Sequence, residues 1–476
     1  MRVLMFGWEF PPHIAGGLGT ACYGLTKALT TFDDVKITFV VPKAFGDEDK
    51  SVASFVNAEA IGVDQNLLMD EYLSQKQRQM RYRNSILGTG SDKLGDELLE
   101  RLKYLEIESQ IKPYLSPEEF EKLNAPGAER NFVVKDDGSV VLIIDGREIV
   151  VHSPSGNKIE TGSKVFYRFS GSYGSNLLTE VTNYARVAAE IAKFEEFDII
   201  HAHDWLTYQA GVAAKKMTGK KLVIHVHATE FDRSGENVNQ IVYDIERFGM
   251  VNADKIITVS NLTREIVIGR YGIPEHKVTV VHNGVISTAD EHNEYEKKVK
   301  KKIVTFLGRI TYQKGPEYFI EAACKVLKKT DDVIFVMAGS GDMLFRMIKR
   351  AAELKIADKF HFTNFLKGKD VDHMFSISDV YVMPSVSEPF GISPLEAMRS
   401  SVPVIISKQS GVAEILKHAI KVDFWDIDAI ADSIYGLVKY EGLSKMFRKL
   451  GRQEVENIQW DKAASLIRDV YLQELS

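Results

Sequence analysis

A chain of 476 residues, 45% hydrophobic and 26% charged, can build two large domains with real cores, which excludes disorder and a small stapled scaffold. Lysine and arginine number 60 against 66 acidic residues, a net charge of −6 without the basic excess of a nucleic-acid binder. The two cysteines, Cys22 and Cys324, stand far apart, so no disulfide framework or cysteine zinc site is expected and a reducing compartment is.

The N-terminal run Val3–Phe6 reads as a buried first strand. It is cut short by Trp8-Glu9 and Pro11-Pro12, and no small-residue cleavage site follows, so a signal peptide is not expected. No stretch approaches the roughly 18 apolar residues of a membrane span, and the expectation is a cytoplasmic protein. Further unbroken apolar runs follow at Ile37–Val41, Asp198–Ile200, Leu222–Ile224 and Ile256–Val259. The second half repeats the pattern at Ile303–Leu307, Val333–Met337, Phe360–Phe362, Val380–Met383 and Val404–Ile406. Strands without polar alternation are buried on both faces, as in parallel sheets. Helical patterns lie between them; Pro316 to Lys329 opens on a first-turn proline and repeats apolar residues at 3.6-residue spacing. Alternating strands and helices predict an α/β fold.

Residues 62 to about 128 break this rhythm, being charged and helix-like, and 131 to 169 suggest β-hairpins turning at Asp136-Asp137-Gly138 and Asp145-Gly146. Together, 62–169 read as an insertion in a first domain spanning 1–286. Ser287 to Lys302, polar and with five lysines at its end, reads as a linker whose lysines face solvent. A second domain is expected over 303–459. Trp460 to Ser476 has the spacing of an amphipathic helix.

Six segments carry candidate chemistry. Ile14-Ala15-Gly16-Gly17-Leu18-Gly19 follows the first strand and opens a helix, where glycine permits close approach and helix N–H groups face an anion. Its spacing is not that of a dinucleotide fingerprint, and a simple tight turn is the competing explanation. His201-Ala202-His203-Asp204-Trp205 and His225-Val226-His227-Ala228-Thr229-Glu230 fall at the carboxyl ends of two strands, where open α/β sheets bind ligands. Metal binding is the rival for these four histidines. It is set aside because there is no His-Glu-x-x-His spacing and strand alternation is expected to spread the ligands over both faces. Gly308-Arg309 and Gln313-Lys314-Gly315 place two cations on one loop, suited to a diphosphate or simply solvated. Ala338-Gly339-Ser340-Gly341-Asp342 is another glycine turn at that edge. In Pro384 to Met398, Ser393, Pro394 and Glu396 fit a capping box that could account for Glu396 alone. Glu388 has no such structural duty, and the Gly391 and Ile392 N–H groups can cradle a phosphate.

Together, Gly16-Gly17-Leu18-Gly19, His203-Asp204-Trp205, Asn283-Gly284-Val285, Gly308-Arg309 with Lys314-Gly315, and the Glu388-to-Glu396 element resemble the retaining GT-B glycosyltransferases over almost the whole chain. The resemblance implies two Rossmann-like domains facing across a cleft, a nucleotide diphosphate sugar held mainly by the second, an acceptor held mainly by the first, and no metal or other cofactor. By position, Arg309 and Lys314 would bind the diphosphate, Glu388 the donor sugar hydroxyls, and Glu396 the ribose. Gly17, Gly339, Gly391 and Ile392 would complete the donor site. His227 would lie against the reacting sugar, with His203 and Asp204 on the acceptor side. The final helix would return to the first domain.

Phe6-Gly7-Trp8-Glu9-Phe10-Pro11-Pro12 and His203-Asp204-Trp205 look like glycogen and starch synthases, which implies ADP-glucose or UDP-glucose as donor and an α-glucan as acceptor. Ile14 replaces a lysine, and Glu396 a tyrosine, common in bacterial-type glycogen synthases. Both features resemble the broader family 4 glycosyltransferases, whose acceptors include sugar phosphates, sucrose-type acceptors and glycolipids. A sugar-nucleotide epimerase or a non-catalytic nucleotide-sugar sensor could use the same cleft.

Overall fold

The computed structural model describes residues 1–13, 16–64, 130–134, 140–144, 147–152, 158–161, 164–171, 173–174, 176–286, 297 and 299–476, the side chains of 64 and 130–161 excepted. The unbroken apolar runs become strands. The first half forms β1 (Arg2–Phe6), β2 (Lys36–Val41) and β3 (Ser54–Asn57), then β4 (Val63–Asp64), β5 (Arg130–Val134), β6 (Val140–Ile144), β7 (Arg147–His152), β8 (Lys158–Thr161) and β9 (Lys164–Tyr167). It continues with β10 (Ile199–His203), β11 (Leu222–Val226), β12 (Lys255–Thr258) and β13 (Val278–Val280). The second half adds β14 (Lys302–Leu307), β15 (Val333–Ala338), β16 (Phe360–Thr363), β17 (Val380–Met383), β18 (Val404–Ser407) and β19 (Ile420–Val422).

Two wholly parallel sheets result. One has the order β13-β12-β11-β10-β1-β2-β3 and the other β16-β15-β14-β17-β18-β19. Each reverses its winding once, between β1 and β10 and between β14 and β17. The crevice outside the strand ends at such a reversal is where α/β sheets bind ligands. The edge strands β3, β13 and β19 escape the apolar-run criterion, being three or four residues long with polar positions.

The described helices are α1 (Gly17–Leu29), α2 (Leu177–Phe194), α3 (Trp205–Thr218), α4 (Glu230–Ser234), α5 (Gln240–Asn252), α6 (Asn261–Tyr271), α7 (Pro316–Leu327), α8 (Leu344–Glu353), α9 (Lys369–Ile377), α10 (Ser393–Arg399), α11 (Ile427–Lys439), α12 (Glu441–Val455) and α13 (Trp460–Leu475). Leu4, Ile200 and Ile224 point from the first sheet into one core with α2 and α3. Val3, Met5, Ile199 and Val223 point the other way, against α1 and α13. The C-terminal helix packs on this face of the first sheet, burying Ala464, Ile467 and Tyr471 there. Gly24 makes this possible: a Cβ on it would stand 2.2 Å from the Trp460 indole nitrogen.

β5, β6 and β7 form an antiparallel meander, and β4, β9 and β8 a second small antiparallel sheet. The expected hairpin turns, and the helix-like stretch from 65 onward, lie outside the described residues. So does most of the expected linker. Of its lysines, Lys297 and Lys302 are not simply solvated. Both pair with the largely buried Asp379, which also receives Arg448 at 3.2 Å and the Ile303 N–H at 2.9 Å. Burial alone would raise the Asp379 pKa, but these partners hold it below the ordinary carboxylate value.

Candidate active site

On the first sheet, the loops leaving β1 and β10 meet at the winding reversal. The β1 loop carries Glu9, a buried carboxylate that accepts the Gly19 N–H at 3.2 Å and so ties the loop to the first turn of α1. A Cβ placed on Gly17 would meet nothing within 4 Å, so no protein contact requires glycine there.

The histidines sit differently from the expectation. β10 runs through His201 and His203, and β11 includes His225, so these three lie within strands and only His227 follows one. Residues two apart on a strand share a face, so His201, His203, His225 and His227 are not spread over both sides. They form one stack, with ring centroids 4.2 Å apart for His201–His203 and 4.3 Å for His225–His227. His203 is fully buried, so it supports the cleft from behind. Its Nδ1 is 3.0 Å from Nε2 of the half-buried His227. Burial holds the His227 pKa down at about 3, so the ring is neutral. Asp204 adopts φ 63° at the turn from β10 into α3, and burial pushes its carboxyl up to about 6.

On the second sheet, β14 leads to Arg309 and Lys314, β15 to Gly339, and β17 to Glu388. The loops interlock through glycine. A Cβ on Gly315 would stand 2.1 Å from the Pro384 carbonyl oxygen, and one on Gly339 only 1.9 Å from that of Gly308. Lys314 forms an ion pair with Glu388, which also accepts from the Ser385 hydroxyl at 3.3 Å. Arg309 is exposed at the loop surface, its Nη2 3.3 Å from Gln313 Oε1. Gly391 and Ile392 immediately precede α10. The predicted capping box is absent: α10 starts at Ser393 behind Ile392 with no side-chain cap. Capping therefore does not account for Glu396. Burial raises the Glu396 pKa against the opposing charge of Arg399.

The two loop sets meet. The Ser387 hydroxyl donates to Asp232 Oδ1 at 2.6 Å, and Asp232 in turn caps α4 by accepting the Thr229 N–H and hydroxyl, both at 2.8 Å. Behind α4, Arg233 pairs with Glu230 and Glu246, and Tyr271 donates to Glu246. This ties the segment that follows His227 to the Ser387 loop leaving β17. Thr229-x-x-Asp232 is a capping pattern legible in the sequence, but its bond to Ser387 has no local signature.

A second joint lies at Glu414, which accepts the Asn261 and Leu262 N–H groups at 2.9 and 2.8 Å and stands 2.9 Å from His282 Nε2. Burial would raise the Glu414 pKa, but these partners bring it to about 2. A depressed carboxylate contributes stability above its unfolded pKa, ordinarily about 4.3, and loses it as pH falls toward the folded value. Glu414→Gln should therefore melt below the wild type at pH 7, with the gap narrowing as pH drops below about 4.5. Thermal melts between pH 7 and 3 check this; a constant gap would mean the carboxylate charge is not what holds the joint.

Residues 144–288 match the family model described as Glycosyltransferase Family 4, and 287–454 that of Glycosyl transferases group 1. An uncharacterized glycosyltransferase of Methanocaldococcus jannaschii is 32% identical over 296 residues, 58% of this chain and 75% of that protein. A glycogen synthase of Mycobacterium tuberculosis is 23% identical over 284 residues, 58% of this chain and 68% of that protein. Among solved structures, sucrose-phosphate synthase from Thermosynechococcus elongatus superposes with a TM-score of 0.64 at 15% identity, covering 99% of this chain and 98% of that one. Anabaena HepE, solved in complex with UDP-glucose, superposes at 0.58 and 14% identity, covering 99% of this chain and all of that one.

Proposed function

This chain belongs to the GT-B glycosyltransferases of the group 1 and family 4 type, and from that premise we propose that it is a metal-independent, retaining hexosyltransferase. It moves glucose from ADP-glucose or UDP-glucose to the non-reducing end of an α-1,4-glucan. The observation that carries this reading is the convergence of Arg309, Lys314 and Glu388 at the winding reversal of the second sheet, with His227 presented from the first.

Cleavage of the sugar–diphosphate bond leaves negative charge on the departing phosphate. Arg309 and Lys314 offset it, the task a divalent ion performs elsewhere. The acceptor hydroxyl oxygen bonds to the anomeric carbon on the face the phosphate leaves, and its proton passes to a phosphate oxygen. The configuration is retained without a catalytic carboxylate pair, so Glu388 and Glu396 are not a glycosidase couple. Glu388 binds donor sugar hydroxyls when the diphosphate draws Lys314 away, and Glu396 holds the ribose. Gly339, Gly391 and Ile392 bring backbone N–H groups to the diphosphate, and Gly17 lets it approach the first domain. His227, being neutral, hydrogen-bonds the transferred sugar, with His203 holding its ring and Asp204 shaping the acceptor side.

Glucan as acceptor rests on the Phe6-to-Pro12 and His203-Asp204-Trp205 motifs and on the glycogen synthase relative. A sugar-phosphate acceptor is the second reading, favoured by Ile14, by Glu396 and by the likeness to a sucrose-phosphate synthase.

The protein is incubated with ADP-glucose or UDP-glucose, each with and without maltoheptaose, and released nucleotide and glucan length are followed. Chain extension is expected. Nucleotide release with fructose 6-phosphate but not with maltoheptaose would shift the acceptor to the second reading, and no release with any pair would sink the transferase chemistry. Glu396→Gln should raise the donor Kd about tenfold, or ~1.4 kcal/mol, with little change in Tm. Calorimetric titration with the active nucleotide sugar checks this; unchanged affinity with a lowered Tm would make Glu396 a structural residue.

A further inference from the structure

The histidine stack contains more polar chemistry than glycosyl transfer uses. His201, His203 and His225 are all buried, and Nε2 of His201, Nε2 of His203 and both ring nitrogens of His225 lack a hydrogen-bond partner among the described residues. Orphaned ring nitrogens in a core are costly, and such groups ordinarily have a partner. The three rings also lie close: one ring nitrogen from each stands within 4.8 Å of one from each of the others. The topology explains why. His201 and His203 stand two apart on β10, and His225 on β11 is in register with His203.

The far sides of two rings are already engaged. His201 Nδ1 lies 2.5 Å from the Tyr471 hydroxyl, and His203 Nδ1 lies 3.0 Å from His227 Nε2. An imidazole anchored at one nitrogen and bare at the other is how a metal-ligating histidine is held, because the outer hydrogen bond fixes tautomer and ring direction. Burial also keeps these histidines unprotonated, leaving ring lone pairs for a metal.

We propose that His201, His203 and His225 form a binding site for one divalent late transition-metal ion, zinc in the first instance. Three imidazoles suit zinc, copper or nickel and leave a fourth position. At a zinc–nitrogen distance of about 2.05 Å, tetrahedral ligands stand ~3.4 Å apart, so the rings, with interplanar angles of 33°, 5° and 31°, turn out of their stack to bring their in-plane lone pairs onto one ion. A second grouping, Cys22 with His203 and His227, also falls within reach, but its His203 and His227 nitrogens already bond each other. Cys22 is moreover fully buried, where its thiol stays protonated. The ion sits between the first sheet and the layer of α1 and α13, behind His227. Its role is structural: through Tyr471 it ties the C-terminal helix to β10. Because the site is closed in the folded chain, the ion enters during folding.

The test is to unfold the full chain and refold it with zinc, with cobalt, or with EDTA, then remove unbound metal and measure metal content and Tm. About one zinc per chain is expected, with Tm raised by about 5 °C or more over the EDTA sample. Tyr471→Phe, which keeps the ring, should raise the zinc Kd 10–100-fold. His225→Leu gives opposite signs under the two hypotheses. If the site binds metal, the variant loses the zinc and the gain in Tm. If the nitrogens are merely orphaned, removing two of them leaves Tm unchanged or raises it in both buffers. Should His225→Leu fail to fold, the cobalt-refolded wild type decides, since a tetrahedral nitrogen site gives a visible ligand-field band. Less than about 0.1 metal per chain with equal Tm in zinc and EDTA overturns the proposal. So does zinc bound equally well by His225→Leu.

Discussion

Lys314→Ala should lower kcat by about 10²–10³, the effect of removing one preorganised charge partner from a developing anion. Lys314 has two roles to separate. In the proposed transferase it faces the departing diphosphate, and in the structure it neutralises Glu388, whose side chain is only 8% exposed. The substitution therefore leaves a carboxylate with the Ser385 hydroxyl as its remaining side-chain donor. Breaking a buried pair by removing one member costs ~3–5 kcal/mol, reduced here because Lys314 itself is 21% exposed. A fall in Tm should accompany the fall in kcat, and the two effects can be separated. Lys314→Ala combined with Glu388→Gln removes the stranded charge, so Tm should largely recover while kcat stays low. If kcat recovers with Tm, Lys314 acts by holding the fold, and near-wild-type turnover in the single variant would remove it from the site. Arg309→Ala lacks this complication, because Arg309 is exposed and its guanidinium bonds to the neutral Gln313 side chain; it should lose turnover at nearly constant Tm.

Gly339→Ala and Gly17→Ala should both abolish most donor use, for opposite reasons. At Gly339 the backbone adopts φ 146°, and the added Cβ would sit 1.9 Å from a backbone oxygen that cannot swing away. The loops after β14 and β15 must separate, at a cost on the order of 3 kcal/mol or more, with the diphosphate loop displaced. Calorimetry should show a lower Tm and lost donor binding together. Gly17 opens α1, and its new methyl group would meet no protein atom within 4 Å. The fold should be unharmed, or slightly stabilised by alanine's better helix propensity. Turnover should nevertheless fall by tenfold or more, because the methyl occupies the space through which the donor phosphates approach. Equal activity in Gly17→Ala and the wild type would show that the glycine loop serves only the turn. An unchanged Tm in Gly339→Ala would contradict the interlocked loops.

These contrasts bear on domain motion. The first-sheet and second-sheet loops already touch through Ser387–Asp232 and Glu414–Asn261, so closure over a donor would pivot on existing contacts. In the proposed transferase, Ser387→Ala should loosen the segment carrying His227 while leaving Arg309 and Lys314 in place, lowering kcat through the misplaced transferred sugar more than it raises either KM. Steady-state kinetics with each substrate varied in turn checks this.

The α/β fold was legible because parallel strands covered on both faces need unbroken apolar runs, and those runs fix strand identity one residue at a time. Val3–Phe6, Ile303–Leu307 and Val380–Met383 could be read without knowing their neighbours. Glycine loops and cations at strand ends were legible for the same local reason: Arg309, Lys314 and Glu388 each follow a strand directly. The three edge strands, too short to build a run, were not. What the chain order cannot encode locally is which strands sit side by side. The winding reversal that places β14 against β17 brings Lys314 to Glu388, 74 positions away in the chain. The reversal between β1 and β10 sets the Gly17 loop beside the histidines. The pairing of β10 with β11 turns two separate histidine motifs into one buried stack, where the sequence suggested scatter over two faces. The capping box at Ser393 did not form because the helix begins one residue earlier than the pattern implies, with Ile392 at its N-cap. Local sequence determined which elements form and which residues stand at their ends. Long-range pairing alone decided which charges neutralise each other, which nitrogens are left bare, and which side of the cleft each residue faces.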